Sequence, residues 1–407
     1  MPVRLNRFEE EMLHGKYGEG VSLAMRVLVG IGETFDAERL VDITRAHVSS
    51  SSQDADIWFA EKMADLGTTC RVPPTLNPNF DFRYIDDHLF ETPEKGKAMI
   101  TATNEAYKKL EAIPILCCTP YFEQNVPGFG EIVAFSESNA TVYVNSVIGA
   151  RTNRESAQSA LCAAITGKVP EYGLLLEENR RGEVLVEVEA DIRSDFDFQL
   201  LGWCYPLKHD GFEIPVFTGL KEKPSPEALM NFGTQLNTTG VVPMYHIVGV
   251  TPEAPTLEAA LGGDEIKAKV TITKEDIEKT RAKFYRKPGK IDFAMLGCPH
   301  LTLPQVAGIA RLLEGKRSMV PIILLTNSLT REMAQRMGYL KVIQRAGGHL
   351  IPGTCVDIPS CWAPFQGKTG VTDSPRCAYY NELLNITFNI MPIEKCIGSA
   401  VLGEVVE

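Results

Sequence analysis

Apolar residues recur at three- and four-residue spacing in the first part of the chain, a pattern that predicts amphipathic helices. The helices predicted there are Phe8–His14, Gly20–Ile31, Ala37–Ala46 and Thr92–Leu110. Thr92 is the expected N-cap of the last helix, with Pro93 at its first position, where a missing N–H costs nothing. Short apolar runs predict two strands, and a further helix follows them: strands Ile113–Cys117 and Thr141–Val144, and a helix from about Ser156 to Thr166.

Strands and helices alternate more regularly in the second half of the chain. The predicted strands are Ile266–Thr273, Ile291–Leu296 and Val320–Leu325, and the predicted helices are Lys274–Phe284, Leu303–Leu313 and Arg331–Met337. A repeated strand–helix order is typical of an α/β fold, so we predict parallel sheet layers covered by helices. Ligands of such sheets bind beyond the carboxyl ends of the strands. The Lys-, Glu- and Pro-rich stretch 220–227 (LKEKPSPE) is a candidate surface connection and a candidate domain boundary.

Composition narrows the classes of function. The chain has 407 residues, 44% hydrophobic and 23% charged, as in ordinary globular proteins of one to three domains. Its formal net charge of −11 argues against a surface for nucleic acid or an anionic membrane as the main role. No apolar run reaches the roughly 18 to 20 residues that cross a bilayer. The N-terminal stretch has acidic residues where a signal peptide would be apolar, so we expect a cytoplasmic protein with no nucleic-acid or membrane partner.

Ten cysteines are scattered along the chain without a regular framework. In a reducing compartment they are expected to be free, metal-binding or catalytic. Cys118, Cys298 and Cys355 share one setting, because each follows an apolar segment where a turn begins. Their spacing matches no C-x-x-C zinc pattern, and only the fold could bring them together. Two interpretations stay open: small buried apolar residues, or ligands of iron or an iron-sulfur centre that leaves one position for a substrate oxygen.

The densest polar motif, FSESNATVYVNSVIGARTNRES, covers residues 135–156. It places Asn145, Ser146, Arg151, Thr152 and Asn153 just ahead of a predicted helix. Hydroxyls, amides and a guanidinium at a helix N-terminus can hold a carboxylate or a phosphate. The alternative is an ordinary helix cap with surface arginines.

Four further positions carry candidate chemistry. The GCPH sequence puts Cys298 beside His300, which could form a nucleophile and its base, although neighbours in an extended turn usually point apart. His47 is expected to end a helix, as a C-terminal helix charge or a ligand-loop residue. Glu253 lies in a Pro-flanked loop and is expected to be solvated. The stretch Asp373–Arg376 could bind an anion or form an exposed turn.

Several of these motifs together resemble aconitase X, in the form whose large and small subunits are separate chains. The stretches that carry the resemblance are CCTPYF at 117–122, the polar block at 136–156, VGVTPEAPT at 248–256, LGCPH at 296–300, PTLNP at 74–78 and GTCVDIP at 353–359. They span nearly the whole chain, and ARTNRE and GCPH are the most specific of them.

The resemblance implies a hydro-lyase with an aconitase-like α/β fold. Residues 1–407 would form the catalytic large-subunit region, with two or three α/β subdomains, and a separate small swivelling subunit would close the active site. Family members dehydrate small hydroxy acids, notably cis-3-hydroxy-L-proline in bacteria and mevalonate 5-phosphate in archaea. Carried over by position, Cys118, Cys298 and Cys355 would hold an iron or iron-sulfur centre of unassigned nuclearity, with Cys117 beside it. The substrate pocket would be lined by Thr119, Asn145, Ser146, Arg151, Thr152 and Asn153.

Two stretches depart from the family pattern. Gly353-Thr354-Cys355 stands where many members have Asp-Thr-Cys, and Ser374-Pro375-Arg376 stands where many have Ser-Gly-Lys. Arg keeps the charge of Lys but changes its geometry, which weakens the carry-over of substrate identity. The chain also ends without the small-subunit segment that fused members carry, so a partner chain is expected.

The expected reaction is β-elimination of water. The iron would accept the leaving hydroxyl as a Lewis acid, while Arg151, with Asn145 and Thr152, would clamp the carboxylate and stabilise the charge that develops as the α-proton leaves. A serine of the partner subunit would act as the base, with His300 as the alternative within this chain. The favoured substrate is cis-3-hydroxy-L-proline, and mevalonate 5-phosphate is the alternative.

Functions of two other classes remain open. The first is a metal-free amino-acid epimerase that uses Cys298 or Cys118 as a proton-shuttling thiolate. The second is a non-catalytic iron-sulfur protein that senses iron or redox state, in which the ARTNRE block binds nothing.

Overall fold

The computed structural model describes residues 2–50, 53–84, 90, 92–284, 288–358 and 362–406. They form three successive α/β parts, each built around its own parallel sheet. In the first part the strands are β1 (Leu40–Asp42), β2 (Arg45–Val48), β3 (Thr75–Leu76), β4 (Val133–Phe135) and β5 (Lys168–Pro170). Its helices are α1 (Arg7–Leu13), α2 (Glu19–Thr34), α3 (Asp54–Asp65), α4 (Glu94–Lys109), α5 (Ser138–Tyr143) and α6 (Ala157–Thr166). The parallel sheet has the order β3-β2-β4, and β1 pairs antiparallel with β5.

The second part has a four-stranded parallel sheet in the order β8-β7-β6-β9. Its strands are β6 (Val184–Val188), β7 (Pro215–Thr218), β8 (His246–Ile247) and β9 (Ala268–Ile272), and its helices are α7 (Asp195–Cys204), α8 (Pro226–Gly240), α9 (Leu257–Leu261) and α10 (Lys274–Phe284). Edge-to-face contacts of Phe232 with Phe198 and Phe217, at centroid distances of 6.2 and 4.9 Å, join α8 to α7 and the sheet. The stretch 220–227 connects β7 to α8 within this part, so the candidate domain boundary there is wrong.

The third part has a five-stranded parallel sheet in the order β12-β11-β10-β13-β14. Its strands are β10 (Phe293–Leu301), β11 (Ile322–Thr326), β12 (Gly348–Pro352), β13 (Thr369–Thr372) and β14 (Thr387–Ile390), and its helices are α11 (Leu303–Leu313), α12 (Ser328–Arg336), α13 (Tyr339–Arg345), α14 (Pro375–Glu382) and α15 (Ile393–Leu402). Side chains alternate between the two faces of a strand. Ala294 and Leu296 accordingly pack into one apolar cluster, and Phe293 and Met295 pack into another. The sheet is therefore covered on both faces, as expected for parallel strands.

The predicted α/β fold with parallel layers is confirmed, and α10 and α11 have the predicted ends. The alternation of strands and helices is clearest in the second half of the sequence, because β9, β10 and β11, each of five residues or more, are separated by the amphipathic helices α10 and α11. No helix among the described residues is long and apolar enough to span a membrane.

Two local predictions in the first half are wrong. The expected helix Ala37–Ala46 is instead β1 and the start of β2, because Ala46 and Val48 are buried between two parallel neighbours. The expected strand Thr141–Val144 belongs to α5 and a π-helical turn at Val144–Ile148. Both segments are short, and in a short segment periodicity alone does not separate helix from strand.

The remaining differences are smaller. The expected strand Ile113–Cys117 contributes only an isolated bridge, between Ile113 and Thr75. The N-cap of α4 is Pro93 rather than Thr92.

Candidate active site

A cavity of about 420 Å³ lies between the first and third parts of the chain. Its walls come largely from segments that follow the carboxyl ends of β2, β3, β4, β12 and β13, and from the end of β10. The first part contributes Ser49, Ser50, Gln53, Asn77, Pro78, Asn79, Cys118, Ser136, Glu137, Ser138, Asn139 and Arg154, and the third contributes Gly297, Cys298, Pro299, His300, Thr354, Cys355, Val356, Asp357, Ile358, Arg376 and Tyr380. Parallel strands of two sheets thus end at one space, which is where α/β proteins bind ligands.

The fold brings the thiols of Cys118, Cys298 and Cys355 to the wall of this one cavity. The backbone N–H of His300 donates to Cys118 Sγ at 3.3 Å, and that of Asp357 donates to Cys355 Sγ at 3.4 Å. N–H donors of this kind stabilise negative charge on sulfur and tune iron-sulfur centres. The three residues that the sequence selected as ligands therefore converge, although their binding of iron stays a prediction.

Burial sets the protonation of these thiols. It raises the pKa of Cys298 to about 12 and holds the pKa values of Cys118 and Cys355 well above the ordinary thiol value. A thiolate at this position needs a neighbouring positive charge, and a bound cation supplies one. Among the described residues, no three His, Cys, Asp or Glu side chains are arranged as ready-made ligands of a metal ion. The donor chemistry nevertheless fits an iron-sulfur centre, because three soft thiol ligands line one cavity.

A glycine turns Cys298 toward the cavity. Gly297 has φ +107°, and a Cβ on it would lie 2.2 Å from the carbonyl oxygen of Leu325 in the neighbouring strand. Only glycine fits such a close backbone approach without strain. The pairing of β10 with β11 also shifts register between Leu296 and Leu301, so the cysteine and the histidine after it lie in an irregular stretch of the strand.

Arg376 supplies a positive charge in the cavity wall. Its Nη2 donates to Ser138 Oγ at 2.8 Å and lies 3.6 Å from Glu137 Oε1, and its guanidinium lies 5.0 Å from the ring centroid of Tyr380. Its Nη1 is buried and has no hydrogen-bond partner among the described residues. An unused guanidinium donor in a buried polar cavity is suited to an anionic ligand. The interpretation of Asp373–Arg376 as an exposed turn is therefore wrong.

His300 lines the same cavity with a neutral ring. Its Nε2 donates to the carbonyl oxygen of Thr354 at 2.9 Å, so Nδ1 is the acceptor of the neutral ring. Burial lowers the pKa of His300 to about 4, and Nδ1 has no partner among the described residues. No hydrogen bond joins this ring to Cys298 in the described part of the chain, which gives the nucleophile–base dyad no support.

The remaining residues predicted to bind substrate are absent from the cavity wall. Arg151 pairs with Glu177 and donates to the carbonyl oxygen of Leu175 at 3.0 Å. The side chain of Asn145 bonds both the N–H and the carbonyl of Thr152 at 3.1 and 2.9 Å. The other predicted residues also form hydrogen bonds within the protein. Ser146 Oγ accepts from the N–H of Tyr245, and Thr152 Oγ1 accepts from the N–H of Phe135 and donates to the carbonyl oxygen of Asn153. The Asn153 amide bonds the carbonyl oxygen of Tyr172 and the N–H of Leu174, and the N–H of Thr119 donates to Cys117 Sγ. These six residues thus lie outside the cavity wall, and of the ARTNRE stretch only Arg154 lines the cavity.

A buried ion pair between Arg180 and Glu253 stabilises the backbone of the segment 145–150. The guanidinium of Arg180 donates to the carbonyl oxygens of Asn145 and Ala150 at 3.0 and 3.1 Å, and its Nε lies 2.9 Å from Glu253 Oε2. The Arg180 side chain is 1% exposed and that of Glu253 15%. The expectation that Glu253 is solvated is therefore wrong.

Sequence reasoning missed Glu137 as a site residue and left Arg376 undecided. Both follow strands, but they lie 239 positions apart in the numbering, so no spacing links them. The one available signal was their position just after apolar runs, which they share with the three cysteines.

Comparison with known proteins gives consistent matches over the whole chain. The family models described as aconitase X first, second and third domain match residues 2–178, 182–282 and 291–402. The phosphomevalonate dehydratase large subunit of Thermococcus kodakarensis is 34% identical over 97% of this chain and 99% of its own. That of Methanothermobacter thermautotrophicus is 38% identical over 93% of this chain and 94% of its own. The cis-3-hydroxy-L-proline dehydratase of Pseudomonas aeruginosa is 34% identical over 98% of this chain and 70% of its own.

A solved structure is similar as well. The crystal structure of Thermococcus kodakaraensis aconitase X in its holo form superposes with a TM-score of 0.88 at 32% identity, and covers 98% of this chain and 100% of its own. The relatives are named dehydratases, which are hydro-lyases.

Proposed function

This chain belongs to the aconitase X family, and we propose that it is the catalytic large subunit of a dehydratase that removes water from a small 3-hydroxy acid. The observation that carries the proposal is the cavity itself, whose wall holds three thiols together with an arginine that has an unused guanidinium donor. β-Elimination next to a carboxylate needs both a Lewis acid for the hydroxyl and an anion site for the acid group.

The proposed cofactor is iron or an iron-sulfur cluster, held by Cys118, Cys298 and Cys355. When bound, it supplies a Lewis acid for the leaving hydroxyl. The chain's own groups prepare the site for it: the N–H groups of His300 and Asp357 face two of the sulfurs.

Arg376 takes the role that the sequence assigned to Arg151. Its Nη1 donates to the substrate carboxylate, and its fixed charge stabilises the negative charge that grows there as the α-proton leaves. The pairing of Arg151 with Glu177 and its absence from the cavity wall support Arg376 in this role. His300 keeps its place as a polar group of the site, because its neutral Nδ1 can accept a hydrogen bond from the substrate.

The base that removes the α-proton is proposed to come from a small partner subunit. Relatives of this chain are named large subunits, which implies a small one. His300 is the alternative within this chain, although its low pKa makes it a weak base near neutral pH. We propose the cytoplasm as the compartment, because the nine described cysteines are all free thiols.

Two substrates are supported by different residues. An ionised Glu137 beside Arg376 suits an amino acid, whose ammonium and carboxylate lie close together, and this favours cis-3-hydroxy-L-proline. Arg154 lines the cavity and forms no ion pair or hydrogen bond with any described residue, which favours a second anionic group such as the phosphate of mevalonate 5-phosphate. The two acids share the 3-hydroxy carboxylate that the proposed reaction needs.

The test is a substrate screen on the anaerobically assembled complex of this chain with its small subunit. Each acid is incubated in deuterated buffer, and the products are analysed by mass spectrometry for loss of water and for deuterium at the α-carbon. Loss of water from either acid supports the dehydratase and identifies the substrate. Deuterium exchange without loss of water, in the absence of iron, would indicate the epimerase, and neither change would favour the sensor.

A further inference from the structure

A chain of hydrogen bonds crosses the first sheet behind the cavity, and the proposed reaction does not use it directly. It starts at Thr75 on β3 and passes through His47 on β2, which is fully buried. His47 Nδ1 lies 2.8 Å from Thr75 Oγ1, and His47 Nε2 lies 3.4 Å from Asn77 Oδ1. Asn77 Nδ2 then donates to Glu137 Oε2 at 2.6 Å.

The donors and acceptors of this hydrogen-bond chain are fixed by the Asn77 amide. Because the amide nitrogen of Asn77 donates to Glu137, its oxygen faces His47, and His47 Nε2 must carry the proton. His47 Nδ1 is then an acceptor, which the hydroxyl of Thr75 satisfies. The Thr75 hydroxyl also accepts from Asn125 Nδ2 at 2.8 Å and lies 3.4 Å from a second acceptor, the carbonyl oxygen of Ala46. From His47 onward, every donor in the hydrogen-bond chain points toward Glu137.

Glu137 is the point at which these donors converge. Its Oε1 also accepts from the backbone N–H and from Nδ2 of Asn139, at 3.3 and 3.1 Å, and lies 3.6 Å from Arg376 Nη2. Burial opposes ionisation of this carboxyl, but Arg376 and the Asn139 donors outweigh it and lower its pKa. A carboxylate with donors on several sides has one orientation, and the guanidinium that faces it is oriented in turn.

We propose that His47 and Asn77 are positioning residues for the dehydration. The one-way chain that they form fixes the Glu137 carboxylate, which holds Arg376 with Nη1 free for the carboxylate of the substrate. This inference rests on the proposed function, in which Arg376 binds that carboxylate. It assigns a role to a histidine that lies behind the cavity wall and contacts no substrate.

The test compares variants that break, reverse or keep the direction of the chain. Asn77→Asp replaces the donor to Glu137 by a second carboxylate, and His47→Phe removes the donor to Asn77. His47→Gln keeps an amide donor and is the rescue variant. Asn237→Ser is the matched control, because it removes a buried amide of α8 that donates to the carbonyl oxygen of Val242 at 3.2 Å, outside the hydrogen-bond chain and the cavity wall.

Steady-state kinetics of the assembled complex should show an effect on KM that is larger than the effect on kcat. Asn77→Asp and His47→Phe should raise KM about tenfold or more, as expected when a charge-assisted hydrogen bond is misaligned, with a smaller change in kcat. His47→Gln should return KM toward the wild-type value, and Asn237→Ser should lower thermal stability without changing KM. Unchanged KM in folded Asn77→Asp and His47→Phe, or a His47→Gln variant as poor as His47→Phe, would overturn the inference.

A second measurement needs no loss-of-function variant. In protein labelled with ¹⁵N-histidine, the ring of His47 should be neutral with its proton on Nε2 at neutral pH, and Thr75→Val should mix the two tautomers. A proton on Nδ1 in the wild type would refute the direction of the chain. The variant Arg376→Gln separates the two claims: if it leaves KM unchanged, the proposed function fails, and if it raises KM while the His47 and Asn77 variants do not, only this inference fails.

Discussion

The substitution Arg376→Gln removes a guanidinium of the cavity wall whose buried Nη1 has no hydrogen-bond partner among the described residues. The glutamine amide can still reach toward Ser138, but the positive charge beside Glu137 is lost. We expect the protein to stay folded, because Glu137 keeps its amide donors from Asn77 and Asn139.

The size of the effect follows from the contacts. A hydrogen bond to a charged group contributes roughly 1.5 to 3 kcal/mol, and each 1.4 kcal/mol or so is a factor of about ten. Loss of the bond from Arg376 Nη1 to the substrate carboxylate should therefore lower kcat/KM by roughly 10- to 150-fold. Arg376→Lys keeps the charge but loses the planar fork of donors, so its loss should be smaller.

Arg151→Gln is the matched control. Arg151 lies in the ARTNRE stretch and pairs with Glu177, whose side chain is 70% exposed. Exposed ion pairs of this kind contribute roughly 0 to 1 kcal/mol to stability. Its kcat/KM should stay close to that of the wild type. The assay is initial-rate kinetics of the assembled complex, with circular dichroism to verify folding. A folded Arg376→Gln with full activity, or an Arg151→Gln variant that loses it, would refute the assignment of the carboxylate site.

Three further predictions concern stability. Burial raises the pKa of Asp373 to about 7, so the folded state holds a proton that the unfolded state releases, and stability falls as pH rises from about 4 to 7. Asp373→Asn should therefore gain more in thermal midpoint at pH 8 than at pH 5, and an equal shift at both would contradict this. Gly297→Ala should destabilise the protein by about 1 to 3 kcal/mol or prevent folding, whereas Gly308→Ala, in the open middle of α11, should stabilise it by roughly 0.5 to 1 kcal/mol; urea unfolding of both variants tests the contrast. Glu253→Gln should cost about 3 kcal/mol, because it leaves the buried Arg180 charge without its partner, and an unchanged urea midpoint would show that the pair does not brace the block.

The second half of the fold was predictable because its elements are long and regular. The helices Lys274–Phe284 and Leu303–Leu313 have polar and apolar faces, and they separate apolar runs that become β10 and β11. In the first half the segments at 37–46 and 141–144 are short. The first has buried residues among exposed ones and the second is fully buried, so their conformation depends on tertiary packing that the local pattern does not contain.

Prediction of the candidate site is limited in the same way, because a local pattern does not show how distant segments pack together. The sequence pattern, together with the resemblance, selected the three cysteines, and the pattern alone selected His300; all four residues line the cavity. It also selected Arg151, which belongs to the same polar block as Arg154 but points its guanidinium to Glu177. Which of two nearby arginines enters a cavity depends on the path of the backbone between β4 and α6, and no residue type in the block reveals that path.

The central claim, that three thiols of one cavity hold an iron centre, is tested most directly by iron and acid-labile sulfide per chain after anaerobic purification with the small subunit. We predict iron and sulfide in the wild type, their loss in Cys118→Ser, Cys298→Ser and Cys355→Ser, and their retention in the control Cys117→Ser, whose thiol is buried beside Thr119 and does not line the cavity. A wild type without iron, or iron retained in the three variants, would contradict the account.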